Sequence, residues 1–278
     1  MRLDEALIKV PEQTFAEMTH WVTEQVLCWC AEQLSENRTL RNNNDLVKEI
    51  DELCDAYGVA RSTVFDRAYN PKTAVEHFMF HDIAPNYPKN ASDKITVGIN
   101  WDQRSYSIIG KYIPSKTAII VYPLALEWFS IYPRIFPGNI QPLLREIRNT
   151  LRHELSHAVQ FLSLAAVDPR QVEKSHSIDA NGTKGDYYIS PIEYGPTLES
   201  DIDNFVDSIE TKRDNNVNYN LGNDIRVHVG MKKGRIFDIV STSPFFFALK
   251  KSSEERYRRA VSVFAKEVTQ RLMARQPK

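Results

Sequence analysis

Residues 149–161 read Asn-Thr-Leu-Arg-His-Glu-Leu-Ser-His-Ala-Val-Gln-Phe and contain His153-Glu154-x-x-His157. No other feature constrains the chain as strongly. On a helix, residues four apart lie about 40° from each other around the axis, so both imidazoles can reach one metal ion. Glu154 projects about 100° from His153 in the same turn, close enough to take a proton from a water activated by that ion. Two histidine ligands and a glutamate base point to a zinc-dependent hydrolytic site.

The helix that would carry the pattern is well supported. Leu144, Ile147, Leu151, Leu155, Ala158 and Leu162 recur at spacings of three and four and form one apolar stripe. No Gly or Pro interrupts residues 143–163, and Pro142 suits a first-turn position. The histidines are therefore expected beside a buried face.

Composition narrows the function classes. With 35 Lys and Arg against 36 Asp and Glu, the 278-residue chain has a formal net charge of −1. That balance argues against a nucleic-acid partner held by a basic surface. No apolar run approaches the length of a membrane span, so no membrane partner is expected. Asp4, Glu5 and Lys9 leave the first ten residues without a signal-peptide core, and the cytoplasm is the expected location. Cys28, Cys30 and Cys54 do not make a disulfide framework, and they read as buried thiols on amphipathic helices.

The fold expected is α+β. Residues 1–90 read as a helical N-terminal region, and 91–278 as a domain with a small twisted sheet, the metal-binding helix, a following Glu-bearing helix and a C-terminal helix. Phe15, Met18, Val22, Val26 and Trp29 share one face of a helix over 11–36. A second helix runs from Asn44 or Asp45 to Tyr57, with Gly58 as its stop. A third is expected from Pro71 through Phe80. His77 and His81 are four apart within it, but Phe78 stands where a catalytic Glu would be needed, and the pair reads as surface or interface histidines.

Residues 86–93 are turn-rich and mark a boundary. Strand-like runs follow at Ile95 to Trp101, Tyr106 to Ile113 and Thr117 to Tyr122, the first two read as a hairpin. Residues 129–142 read as a loop into the helix. Residues 167–186 form a long polar connection. Amphipathic runs then cover Leu198 to Ile209 and Glu254 to Met273.

A catalytic zinc needs a third protein ligand and an open position. The metzincin continuation requires Gly and His where this chain has Gln160 and Ser163, so that class is excluded. A Glu from the next helix is the alternative. Glu193 follows Pro191, with Ser190 as a possible cap, and sits where free helical N–H groups favour a carboxylate. Glu199 is the rival: Gly195-Pro196 is expected to kink or restart the helix, and Asp203 one turn on offers an acidic partner.

Residues 95–210 resemble the compact gluzincin-like metallopeptidases of bacterial and phage genomes, in which HExxH is followed by Tyr-x-x-x-Pro-x-Glu at the head of the next helix. Here Tyr187, Pro191 and Glu193 match that stretch. The resemblance implies a zincin-like fold, Zn2+ as cofactor, His153, His157 and Glu193 as ligands, Glu154 as base and a protein or peptide substrate. Tyr187, Tyr188, Tyr194, His176 and His228 are the candidate donors to a tetrahedral oxyanion. A second expectation is a phage or structural assembly protein that keeps the metallopeptidase fold with little or no catalysis. A phosphoester hydrolase is disfavoured, because such chemistry tends to use carboxylate-rich sites for harder ions.

Overall fold

A computed structural model describes residues 10–36, 44–65, 74–80, 93–101, 110–123, 140–165, 193–215, 220–231 and 241–274. These form an α+β fold in which helices predominate. In chain order they are α1 (Glu12–Glu36), α2 (Asn44–Tyr57), α3 (Arg61–Phe65), β1 (Val75–Met79), β2 (Lys94–Ile99), β3 (Gly110–Ile113) and β4 (Ala118–Val121). Then come α4 (Ile140–Ala165), α5 (Tyr194–Asp214), α6 (Leu221–Val229), α7 (Pro244–Ser252) and α8 (Glu254–Ala274). The chain divides into two compact units, Val10–Ala158 and Val159–Lys278. No helix among the described residues is long and apolar enough to cross a membrane.

In the first unit, α1 packs on α2, α3 and β1. Its apolar face buries Phe15, Met18, Val22 and Val26, as the periodicity predicts. Helix α2 ends where expected: Gly58 takes a left-handed φ of 64°, and Val59 N–H reaches back to Cys54 O at 2.9 Å, which satisfies a terminal carbonyl. Cys28, Cys30 and Cys54 are free thiols in this core, and burial pushes Cys30 well above the ordinary thiol range.

The sheet has strand order β1-β2-β4-β3. β1 pairs antiparallel with β2, β2 parallel with β4, and β4 antiparallel with β3. Two expectations are corrected here. Residues 75–79 are a strand and not the end of a third helix: Ala74, Val75, Phe78 and Met79 mimic helical spacing, but pairing with β2 from Val75↔Gly98 to Met79↔Lys94 decides the conformation. The hairpin joins β3 to β4 and not β2 to β3. Its connection is a 3-10 turn at Pro114–Lys116, closed by Thr117 in the left-handed region.

Most of the second unit's core comes from α5 to α8. Ile202, Phe205 and Val206 of α5 meet Phe245, Phe246 and Phe264 of α7 and α8. Ser243 caps α7 by accepting from Phe246 N–H at 3.3 Å, and Asn220 caps α6 by accepting from Asn223 N–H at 3.1 Å.

The expected boundary over residues 86–92, residues 129–139 of the expected loop at 129–142, the connection at 167–186 and the residues Ser190 and Pro191 lie outside the described residues, while residues 140–142 belong to α4 and not to that loop.

Candidate metal centre

Helix α4 begins at Ile140, whose N–H donates to Glu49 Oε1 at 2.6 Å. A carboxylate from α2 thus takes one of the orphan donors at the helix start. Twelve residues on, Arg152 is buried at 3 % exposure. Its guanidinium lies 4.4 Å over the Phe15 ring and forks onto Glu12, Nη1 to Oε1 at 2.9 Å and Nη2 to Oε2 at 3.1 Å. The first turn of α1 is thereby fastened to the turn of α4 that carries the histidines. The apolar stripe places Leu144, Ile147, Leu151, Leu155 and Ala158 in the interior, which settles which way the opposite side chains project.

On that frame His153 is half-buried and His157 is 6 % exposed. Their Nε2 atoms face each other at 3.1 Å, with the rings edge to face. Two nitrogens on one tetrahedral zinc, each bonded at about 2.0–2.1 Å, stand about 3.3 Å apart. The observed spacing is close to that requirement.

Among the described residues, one group of His, Cys, Asp and Glu side chains could hold a metal ion: His153, His157 and Glu193, whose ligand atoms all lie within 4.8 Å of one another. Two imidazoles and one carboxylate suit zinc better than the hard ions that prefer all-oxygen sites. Glu193 is 6 % exposed and precedes the first turn of α5 as its N-cap residue. It acts through its backbone there, since Glu193 O accepts from Thr197 N–H at 2.8 Å while its side chain makes no cap bond.

Gly195-Pro196 neither kinks nor restarts the helix. Both lie in the first turn of an α5 that runs unbroken to Asp214, where a proline costs no intrahelical bond. Glu199 is engaged elsewhere. Arg271 Nη2 donates to both its oxygens at 2.8 Å, and Arg271 Nη1 donates to Asp203 at 2.6 Å. Burial alone would lower the Arg271 pKa, yet the two carboxylates hold it above its ordinary value. The acidic partnership of Glu199 and Asp203 is real, but it serves an arginine.

Glu154 is half-buried, and its Oε2 accepts from the backbone N–H of Tyr112 on edge strand β3 at 2.7 Å. Burial pushes the Tyr112 phenol up to about 12. Of the candidate oxyanion donors, Tyr187, Tyr188 and His176 lie outside the described residues. Tyr194 is buried against Phe245 with Arg256 over its ring, and burial pushes its phenol up to about 12. His228 is held between Asp201 at 3.0 Å and Thr242 at 3.2 Å, stacked on Phe264. His77 lies exposed on β1, its Nδ1 3.0 Å from Thr96 Oγ1; its partner by spacing, His81, lies outside the described residues.

Sequence reasoning singled out His153, His157 and Glu193, which the structure brings together, and Glu154 beside them. It missed Glu12, Glu49, Arg271, the Tyr112 N–H and Gly110. For Gly110 a signal existed, since a glycine inside a strand-like run often marks a close backbone approach.

No protein-family model, no curated protein and no solved structure matches this chain.

Proposed function

We propose that this chain is a zinc-dependent metallopeptidase with a zincin-like catalytic region of the gluzincin type, hydrolysing peptide bonds in a protein or peptide substrate. His153, His157 and Glu193 are the proposed ligands and Glu154 the general base. The observation that supports this most directly is the donor set: two imidazole nitrogens 3.1 Å apart on one helix, with a Glu193 oxygen in the same 4.8 Å cluster.

His153, His157 and Glu193 would hold the zinc, which would supply acidification of a water and polarisation of the substrate carbonyl. The chain's own residues supply the remainder. Glu154, next in sequence to a ligand, takes the proton from the attacking water and returns it to the leaving amine. Arg152 and Glu12 keep that turn of α4 in register. Burial of His157 and Glu193 limits competition from bulk water for the donor atoms. A purely structural metal site has no use for a carboxylate beside its ligands, and that favours a hydrolase over an assembly protein retaining the fold.

The test is turnover of fluorescein-labelled casein and a mixed peptide library, read by mass spectrometry, by zinc-loaded wild type and Glu154→Gln. We expect cleavage by wild type and a loss on the order of a hundredfold or more in the variant, with zinc content unchanged. Full turnover by Glu154→Gln contradicts the assignment. Zinc bound without cleavage of any probe favours the non-catalytic reading.

A further inference from the structure

The bond from Tyr112 N–H to Glu154 Oε2 joins residues 42 apart. Among the described strands β3 pairs only with β4, and this donor lies on its other side, where a backbone group otherwise faces water or another strand. Tyr112 stands opposite Ile119 of β4, yet its N–H is directed to the helix, so Gly110, two residues earlier, turns its backbone the same way.

At Gly110 the strand comes unusually close to α4. A Cβ there would lie 2.3 Å from Thr150 Cγ2 and 3.4 Å from Glu154 Cγ. Gly110 is not among the glycines with positive φ, which are Gly58 and Gly230 among the described residues. Its backbone therefore suits any residue, and the obstacle to a side chain is the Thr150 methyl group. Thr150 and Glu154 are four apart on α4 and share a face. A side chain at 110 must push β3 away from the same face that presents Glu154.

We propose that Gly110 and the Tyr112 N–H are positioning elements for the base. The missing Cβ seats β3 directly on α4. The N–H then fixes Oε2, and Oε1, which has no hydrogen-bond partner among the described residues, is left to exchange the proton. This rests on the reading of Glu154 as the base. A glycine present only for packing would tolerate the same crowding without any effect specific to Glu154.

The test compares wild type, Gly110→Ala, Thr150→Ser, the double variant and Glu154→Ala. It measures hydrogen exchange of the Tyr112 amide by NMR, zinc content by mass spectrometry, and kcat and KM on fluorescein-labelled casein. In Gly110→Ala and in Glu154→Ala the Tyr112 amide should exchange about tenfold faster or more. Gly110→Ala should keep its zinc and lose about tenfold in kcat with KM little changed. Thr150→Ser alone should resemble wild type. Added to Gly110→Ala it removes the clashing methyl, and should restore both the amide protection and kcat.

Loss of kcat in Gly110→Ala with Tyr112 protection intact overturns the positioning role and leaves the peptidase reading standing. If Glu154→Ala loses Tyr112 protection but wild type cleaves nothing, the peptidase reading and the role as base are overturned, and the anchor of β3 on α4 stands. Should Gly110→Ala not fold, protection in Glu154→Ala equal to wild type overturns the anchor directly, and loss of protection there supports it.

Discussion

Glu193 and Glu199 sit within two turns of each other, both buried, and their surroundings separate them. Glu199 meets a guanidinium fork, whereas Glu193 lies with two imidazoles. Removing Arg271 would leave the Glu199 and Asp203 carboxylates buried at 3 % and 4 % exposure without that partner. We therefore expect Arg271→Ala to cost about 3 kcal/mol in urea unfolding, and Arg271→Lys less, since it keeps the charge but not the fork. A loss under about 0.5 kcal/mol would show that the pair contributes little. Tyr112 gives a pH prediction. Its folded pKa, raised by burial to about 12, lies above the ordinary phenol value of 10.0. The protonated form is favoured in the fold, so this stability is complete below about pH 10 and is lost as pH rises toward 12. Phenolate absorbance should show one late-titrating tyrosine missing in Tyr112→Phe; an unchanged titration contradicts the assignment. The two clustered histidines were legible because HExxH is local and its spacing carries its own geometry, whereas Glu193 lies outside that pattern. Arg152–Glu12, 140 residues apart, and Arg271–Glu199, 72 apart, leave no local trace.

Helix α4 owes its placement to contacts at both ends of its first half. Glu49 meets the Ile140 N–H, and Glu12 with Phe15 receives Arg152. Glu49→Ala should cost about 1 kcal/mol, as the loss of a capping carboxylate does. If α4 is anchored from both sides, Glu49→Ala and Arg152→Met together should lower zinc affinity by more than the sum of their separate losses, read by competition with a chromophoric chelator; strict additivity would argue against shared anchoring. Helices were readable wherever an apolar face repeats at helical spacing, as in α1, α4 and α8. Strands β2, β3 and β4 were located but mispaired, and β1 was not located. In β1 only Phe78 is buried, so no alternation betrays a strand, and the parallel pairing of β2 with β4 skips over β3 in a way that no local pattern encodes.

At the scale of the whole chain, the α+β class and the balanced charge were legible from composition and periodicity, whereas the sheet order was not. A ligand that binds only the folded chain stabilises it by mass action. On the proposed reading, zinc at about a hundredfold excess over its Kd adds about 3 kcal/mol, so a chelator should lower the melting temperature of wild type and leave His153→Ala almost unmoved. A shift of equal size in both proteins would place the metal elsewhere. The most direct test of the central claim is zinc stoichiometry, by mass spectrometry on folded wild type, Glu193→Ala and Glu199→Ala. We expect close to one zinc per chain in wild type and Glu199→Ala, and little in Glu193→Ala. Wild type without zinc after zinc-supplemented purification, or zinc lost only in Glu199→Ala, would contradict the site proposed for His153, His157 and Glu193.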